Sequence, residues 1–190
     1  MLPDLPPAPE ITIEALPYEQ RLDTRDLADI RRVVIHCTET PDLASARSLG
    51  EKIHYGAGTG NSGHFYIDRD GRIIRYVPIE RVAHHVAGHN RDSIGIELVN
   101  RGRFPHWFDS RHQAMTEPYP DAQIAALIAL LNHLQGELPA LTEIAGHEDL
   151  DTRKVPATDD PTIEVPRKRD PGPLFPWPQV LEATGLRRVP

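Results

Sequence analysis

One cysteine, Cys37, stands in a chain of 190 residues. That scarcity excludes an internal disulfide and a multi-cysteine metal cage, and leaves histidine and carboxylate as the ligands for any bound metal. Positive charge is also short. The 21 Lys and Arg against 28 Asp and Glu give a net charge of -7 and a pI near 5.8, which argues against a general attraction to nucleic acid or anionic lipid. No apolar run approaches the roughly 18 residues of a membrane span. The opening MLPDLPPAPE has no basic region followed by an apolar stretch, so a cytoplasmic location is expected, with periplasmic or secreted as the alternative. Aromatics are sparse at 6%, while hydrophobic residues at 39% and charged residues at 26% match a water-soluble protein with many loops.

What the chain has in quantity is proline, 19 residues, and histidine, 10 residues. Its length suits one well-cored domain. Residues 1–20 read as a proline-rich arm lying over the surface, 21–185 as the domain, and 186–190 as a tail. The run Arg31 to Cys37 reads as a buried strand ending at a polar position. Residues 42–54 read as a helix, with Leu43, Ala46, Leu49 and Ile53 at helical spacing, and the glycine cluster from Gly56 to Gly63 as a loop. Two β-rich runs, 63–68 and 72–77, flank Asp70-Gly71 and predict a hairpin. Ser93 to Val99 reads as a strand with Ile94, Ile96 and Leu98 on one face and Ser93, Gly95, Glu97 and Val99 on the other.

Residues 101–120 are irregular; Asp121 then opens a helix with Ile124, Leu127, Ile128, Leu131 and Leu134 on one stripe. Thr142 to His147 reads as a short strand, 149–169 as a long charged loop, and 176–184 as a last helix carrying Trp177, Val180 and Leu181 inward. This order predicts an α/β fold: a single domain with a mixed central β-sheet flanked by α-helices.

Three potential ligands stand at the ends of apolar segments: His36, His147 and Asp170. Two histidines and one carboxylate form a recurring catalytic zinc set with a fourth position left open. The same residues also suit two strand-end histidines with satisfied hydrogen bonds and a surface aspartate, and spacing does not choose between these readings. Asp170 is followed by Pro171-Gly172-Pro173, which cannot continue a helix and presents the carboxylate from a stiff loop. Cys37 follows His36 on the strand and points to the opposite face, so a buried inert thiol is the better reading than a nucleophile.

The segments VVIHCTET (33–40), SGHFYIDRDGRIIRYVP (62–78), DSIGIELVN (92–100), AGHEDL (145–150) and RKRDPGPLFPW (167–177), in this order, resemble the zinc-dependent N-acetylmuramoyl-L-alanine amidases of the type 2 amidase family. That family shares its fold with the peptidoglycan recognition proteins. The resemblance runs from about residue 30 to about residue 182. It implies that His36, His147 and Asp170 bind Zn2+, and that Glu97 and Lys168 serve catalysis. It further implies that His85 and His64 line the cleft, contact substrate or support the ligands; His54, His84, His89, His106, His112 and His133 are expected at the surface.

Elementary chemistry agrees with those roles. Zinc polarises a carbonyl and brings the pKa of water to about 7, Glu97 accepts the water proton, and Lys168 stabilises an oxyanion. The expected partners are peptidoglycan fragments (muropeptides), bound by a monomer. Two rivals follow: a recognition module that binds muropeptide without cutting it, and a cysteine hydrolase using Cys37. The 101–120 and 149–167 segments are longer than a minimal connection and are expected to wall the cleft.

Overall fold

Every strand expected from the sequence lies in one seven-stranded sheet, and two further strands close its edges. The structure, a computed structural model, describes residues 8–190. The first strands are β1 (Ile11–Ile13), β2 (Arg32–Cys37), β3 (Phe65–Ile67), β4 (Ile73–Arg75), β5 (Ser93–Leu98) and β6 (Glu143–Gly146). A small separate hairpin, β7 (Lys154–Pro156) and β8 (Glu164–Pro166), precedes β9 (Arg187–Arg188). The helices are α1 (Leu43–Gly50), α2 (Asp121–Glu137), the single turn α3 (His147–Leu150) and α4 (Trp177–Thr184). Across the sheet the order is β1-β4-β3-β5-β2-β6-β9. Only the β3–β4 hairpin is antiparallel; the other pairs are parallel.

Strand β2 is buried along its whole length, which is why it reads as a continuous apolar run rather than an alternating one. Alternation still sorts its side chains. Val33 and Ile35 join Ile94, Ile96, Leu98 and Ile144 in a core covered by α2 and α4. His36 points to the opposite face, beside Glu97 of β5 in register. Helix α2 buries Ile124, Leu127, Leu131 and Leu134 as expected. Leu130 is fully buried while Ile128 is only partly so, because α2 packs on both the sheet and α4 and its apolar face is broader than one stripe.

Helix α1 departs from expectation. Asp42 caps it by accepting from the Ser45 N–H at 2.7 Å, but it ends at Gly50 rather than continuing to 54. Beyond Gly50 the chain turns back on the glycine loop, and the N–H groups of His54 and Tyr55 both donate to the Thr59 carbonyl. Leu49 and Ile53 are therefore exposed, not core.

Both termini correct the expected boundaries at 20 and 186. Residues 11–13 pair in parallel with β4, and Leu16 and Tyr18 are buried against Tyr66, Ile74 and Tyr76. The arm is thus part of the fold from residue 11 onward; its first seven residues lie outside those described. At the other end β9 pairs with β6, and Leu186 and Val189 are buried. The 149–169 stretch, expected as a loop, contains the β7–β8 hairpin because Val155 and Val165 pair and Val165 is buried while the charges face out. Residues 101–120 are irregular, as expected.

Candidate metal and catalytic site

Three segments distant in sequence meet at the ends of β2, β5 and β6. Parallel pairing sets His36 of β2 beside Glu97 of β5, and sets Ile35 beside Gly146 of β6. His147 follows Gly146 at once as the first residue of α3. Asp170 arrives from a loop that packs against this strand end. A Cβ on Gly146 would come within 2.8 Å of Pro171 Cδ, so the absence of a side chain there lets the Asp170-Pro171 loop sit on the strand. That loop is pinned by the Glu148 N–H donating to the Asp170 carbonyl at 2.9 Å and by the Tyr119 hydroxyl donating to the Pro171 carbonyl at 2.6 Å.

The result is a convergence of three buried ligand atoms. Nδ1 of His36 lies 3.0 Å and Nδ1 of His147 lies 3.1 Å from the same Asp170 oxygen, Oδ2. Tetrahedral zinc with bonds of about 2.0–2.1 Å sets its ligand atoms roughly 3.3 Å apart, so these separations fit it to a few tenths of an ångström. The second carboxylate oxygen, Asp170 Oδ1, is buried without a hydrogen-bond partner, an unmet acceptor of the kind a cation satisfies. Burial pushes the Asp170 carboxyl up, but the charges and hydrogen bonds of His147 and His36 outweigh it and hold it well below the ordinary range. Burial, with His147 adding to it, pushes His36 down to about 4, so its imidazole is neutral at pH 7. An ionised carboxylate beside a neutral imidazole is the protonation that metal binding requires.

His36, Glu97, His147, Lys168 and Asp170 all line one cavity of about 670 Å³, and His85 joins them. Glu97 Oε1 lies 4.0 Å from His36 Nδ1. Burial first, then the charge of Asp170, pushes the Glu97 carboxyl up to about 8, with Lys168 pulling the other way. Gly63 makes room for it, since a Cβ there would meet Glu97 Cγ at 2.9 Å. Lys168 follows β8 and enters the same cavity two residues before Asp170.

His64 does not share the cavity. It is fully buried beneath it; its Nδ1 accepts from the Gly95 N–H at 3.0 Å and its Nε2 faces the Arg81 carbonyl at 3.0 Å, so the substrate contact expected of it has no surface to act through. Cys37 is buried, and burial with the Glu39 charge pushes its thiol well above the ordinary value, the reverse of what a nucleophile needs. His106, Asp109 and His112 form a second group at metal-ligand distances in the exposed insertion. There the Arg111 guanidinium already occupies both oxygens of Asp109.

Two further participants come from the 101–120 segment, expected to wall the cleft and found lining the cavity. Arg103 is buried and donates to both oxygens of Glu39 at 2.7 and 2.8 Å and to the carbonyls of Pro166 and Arg167. It thereby ties the turn after β2 to the segment that carries Lys168. Trp107 donates its indole N–H to the Glu39 carbonyl and lines the cavity. In sequence, Glu39 and Arg103 look like ordinary surface charges; only the backbone geometry of Glu39, at φ 48°, marks an unusual position.

Comparison with known proteins gives a consistent result. The family profile described as N-acetylmuramoyl-L-alanine amidase matches residues 26–173. The 1,6-anhydro-N-acetylmuramyl-L-alanine amidase AmpD of Enterobacter cloacae is 35% identical over 120 residues, 58% of this chain and 50% of that protein. The N-acetylmuramoyl-L-alanine amidase AmiD of Escherichia coli K12 is 31% identical over 183 residues, covering 85% of this chain and 58% of that one. A solved structure of AmiD from E. coli, in complex with the substrate anhydro-N-acetylmuramic acid-L-Ala-D-gamma-Glu-L-Lys, has a TM-score of 0.62 at 28% identity and covers 83% of this chain and 58% of that chain. The chain thus spans only about half the length of the relatives it matches.

Proposed function

Since the chain belongs to the N-acetylmuramoyl-L-alanine amidase family, we propose that it is a zinc-dependent hydrolase of the amide joining N-acetylmuramic or anhydro-muramic acid to L-alanine of a peptidoglycan stem peptide. The observation that carries this reading is the meeting of two histidine nitrogens on one buried carboxylate oxygen, with Glu97 on the neighbouring strand of the same cavity.

His36, His147 and Asp170 would hold the zinc, which supplies a Lewis acid for the scissile carbonyl and acidifies water. Glu97 takes the proton from the attacking water and delivers it to the leaving amine. A carboxyl pushed up to about 8 by its burial sits in the range where both uptake and release occur near neutral pH. Lys168 presents a cation to the oxygen on which charge develops. The relatives support muropeptides as the substrate class, one being a 1,6-anhydro-N-acetylmuramyl-L-alanine amidase and another having been solved with an anhydro-N-acetylmuramic acid peptide as substrate.

The test is zinc content together with release of stem peptide from a muropeptide, before and after chelation and zinc re-addition. About one zinc per chain, with cleavage lost on chelation and restored by zinc, supports the amidase. Muropeptide bound but never cut would make the protein a recognition module.

A further inference from the structure

Lys168 enters the cavity with its tip unheld. Among the described residues no hydrogen bond or ion pair fixes its ammonium, so the backbone that carries it decides where the charge sits. That backbone is anchored on both sides. Beyond Lys168, the Glu148 N–H donates to the Asp170 carbonyl at 2.9 Å. Before it, the Arg103 guanidinium donates to the Pro166 carbonyl at 2.9 Å and, at 3.4 Å, to the Arg167 carbonyl, the oxygen of the peptide unit that joins Arg167 to Lys168. The Arg167 N–H donates in turn to the Arg153 carbonyl at 2.8 Å.

We infer that Arg103, held by Glu39, is a positioning residue that fixes the backbone before Lys168 and with it the place of the Lys168 charge in the cavity; its effect on rate rests on the role given to Lys168 above. The clamp is complete. All five N–H groups of the guanidinium have an acceptor: two on the oxygens of Glu39, one on Gln113 Oε1 at 3.3 Å, and two on the carbonyls before Lys168. The backbone N–H of Arg103 adds a further bond to Glu39 Oε1 at 3.1 Å. Gly102, at φ 51°, permits this approach, since a Cβ there would lie 2.6 Å from Glu39 Cγ. Both charges are buried, and a buried ion pair stabilises a fold little more than a well-packed apolar pair of the same volume. What the guanidinium adds is direction: one rigid planar fork ties the turn after β2, the 101–120 insertion and the segment before Lys168.

Two measurements test this on the full-length protein. Arg103→Lys keeps a cation for Glu39 but cannot reach the carboxylate and both carbonyls at once. Glu39→Gln combined with Arg103→Met removes both charges together, so neither variant buries an unpaired charge. Each should keep its zinc and lose about 10–100-fold in kcat with little change in KM. In a Lys168→Ala background the same changes should cost nothing further, because the residue they act through is gone. An equal loss in both backgrounds, or a wild-type rate in folded Arg103→Lys, would overturn the proposal. The second measurement needs no activity. With the amines labelled as 13C-dimethyl groups, the NMR signal of Lys168 should move in both variants while that of Lys52, which follows α1, stays. A Lys168 signal unmoved in both would defeat the positioning role whether or not the protein is an amidase. If wild type cleaves no muropeptide, the amidase reading fails, and the lysine signal alone decides.

Discussion

Glu97 and Asp170 are carboxylates of the same cavity, and their surroundings drive them apart. Asp170, gripped by two histidines, stays ionised; Glu97, buried with less compensation, is pushed up to about 8. One is suited to a permanent negative charge beside a cation, the other to gaining and losing a proton. Glu97→Ala should therefore keep its zinc and lose about 10²–10⁴ in kcat, as measured by metal analysis alongside muropeptide hydrolysis; a full rate would dismiss it as the base. Asp170→Ala should lose most of its zinc on dialysis, and unchanged metal content would place the third ligand elsewhere. The ligand and catalytic candidates could be read from sequence because their chemistry shows in residue type at the ends of apolar runs and in the resemblance of five segments. The buried pair of Glu39 and Arg103 could not, because two charges 64 residues apart carry no sign in sequence that the fold will bury them together.

Elements place these groups through close backbone approach. Gly146 is the point where β6, α3 and the Asp170 loop touch, with a Trp177 ring atom of α4 also 3.3 Å from where its Cβ would be. Gly146→Ala should cost about 1–3 kcal/mol of stability and weaken zinc binding together, read by melting and metal titration. Wild-type values for both would mean that the loop yields freely. The β7–β8 hairpin has its own anchor in Asp151, a buried carboxylate that accepts from Arg153 and Arg167 and is held well below the ordinary range by those hydrogen bonds. A carboxyl depressed in the folded state contributes fully above its unfolded pKa of about 3.9 and loses that contribution progressively as pH falls from there through its lower folded value. Asp151→Asn should thus be less stable than wild type by roughly 1–2 kcal/mol at pH 7, and the gap should narrow in denaturant melts as pH falls below about 4. A gap unchanged at pH 3 would show that ionisation of Asp151 is not what stabilises the hairpin. Sequence pattern gave α2 its start at Asp121 and four residues of its buried face because its long apolar face outweighs other signals. It failed for α1, where Leu43, Ala46, Leu49 and Ile53 keep helical spacing but the glycine loop turns the chain after Gly50.

At the scale of the molecule the sheet needs both ends of the chain. Removing residues 1–20 would take away β1, Leu16 and Tyr18 and uncover Ile74 and Tyr76. The two lost side chains alone are worth about 3–6 kcal/mol, a large part of a usual folding stability of about 5–15 kcal/mol. The truncated chain should melt far below wild type, and an unchanged melting temperature would return the arm to the status of a surface strap. Prolines concealed this strand in the sequence, since three residues of β1 carry too little pattern to outweigh them. Among the described residues, no helix is long and apolar enough to cross a membrane. Strand β2 holds the middle of the sheet yet is made early: Arg32 and its register partner Glu143 are 111 residues apart. At a synthesis rate of about 5–20 residues per second, β2 waits on the order of ten seconds for β6 to leave the ribosome. During that interval one side of a strand destined to be wholly buried is open to wrong partners, and His36 has neither His147 nor Asp170 beside it. A metal held by these three residues would thus be captured after synthesis, as a final seal on the chain rather than a nucleus for its folding.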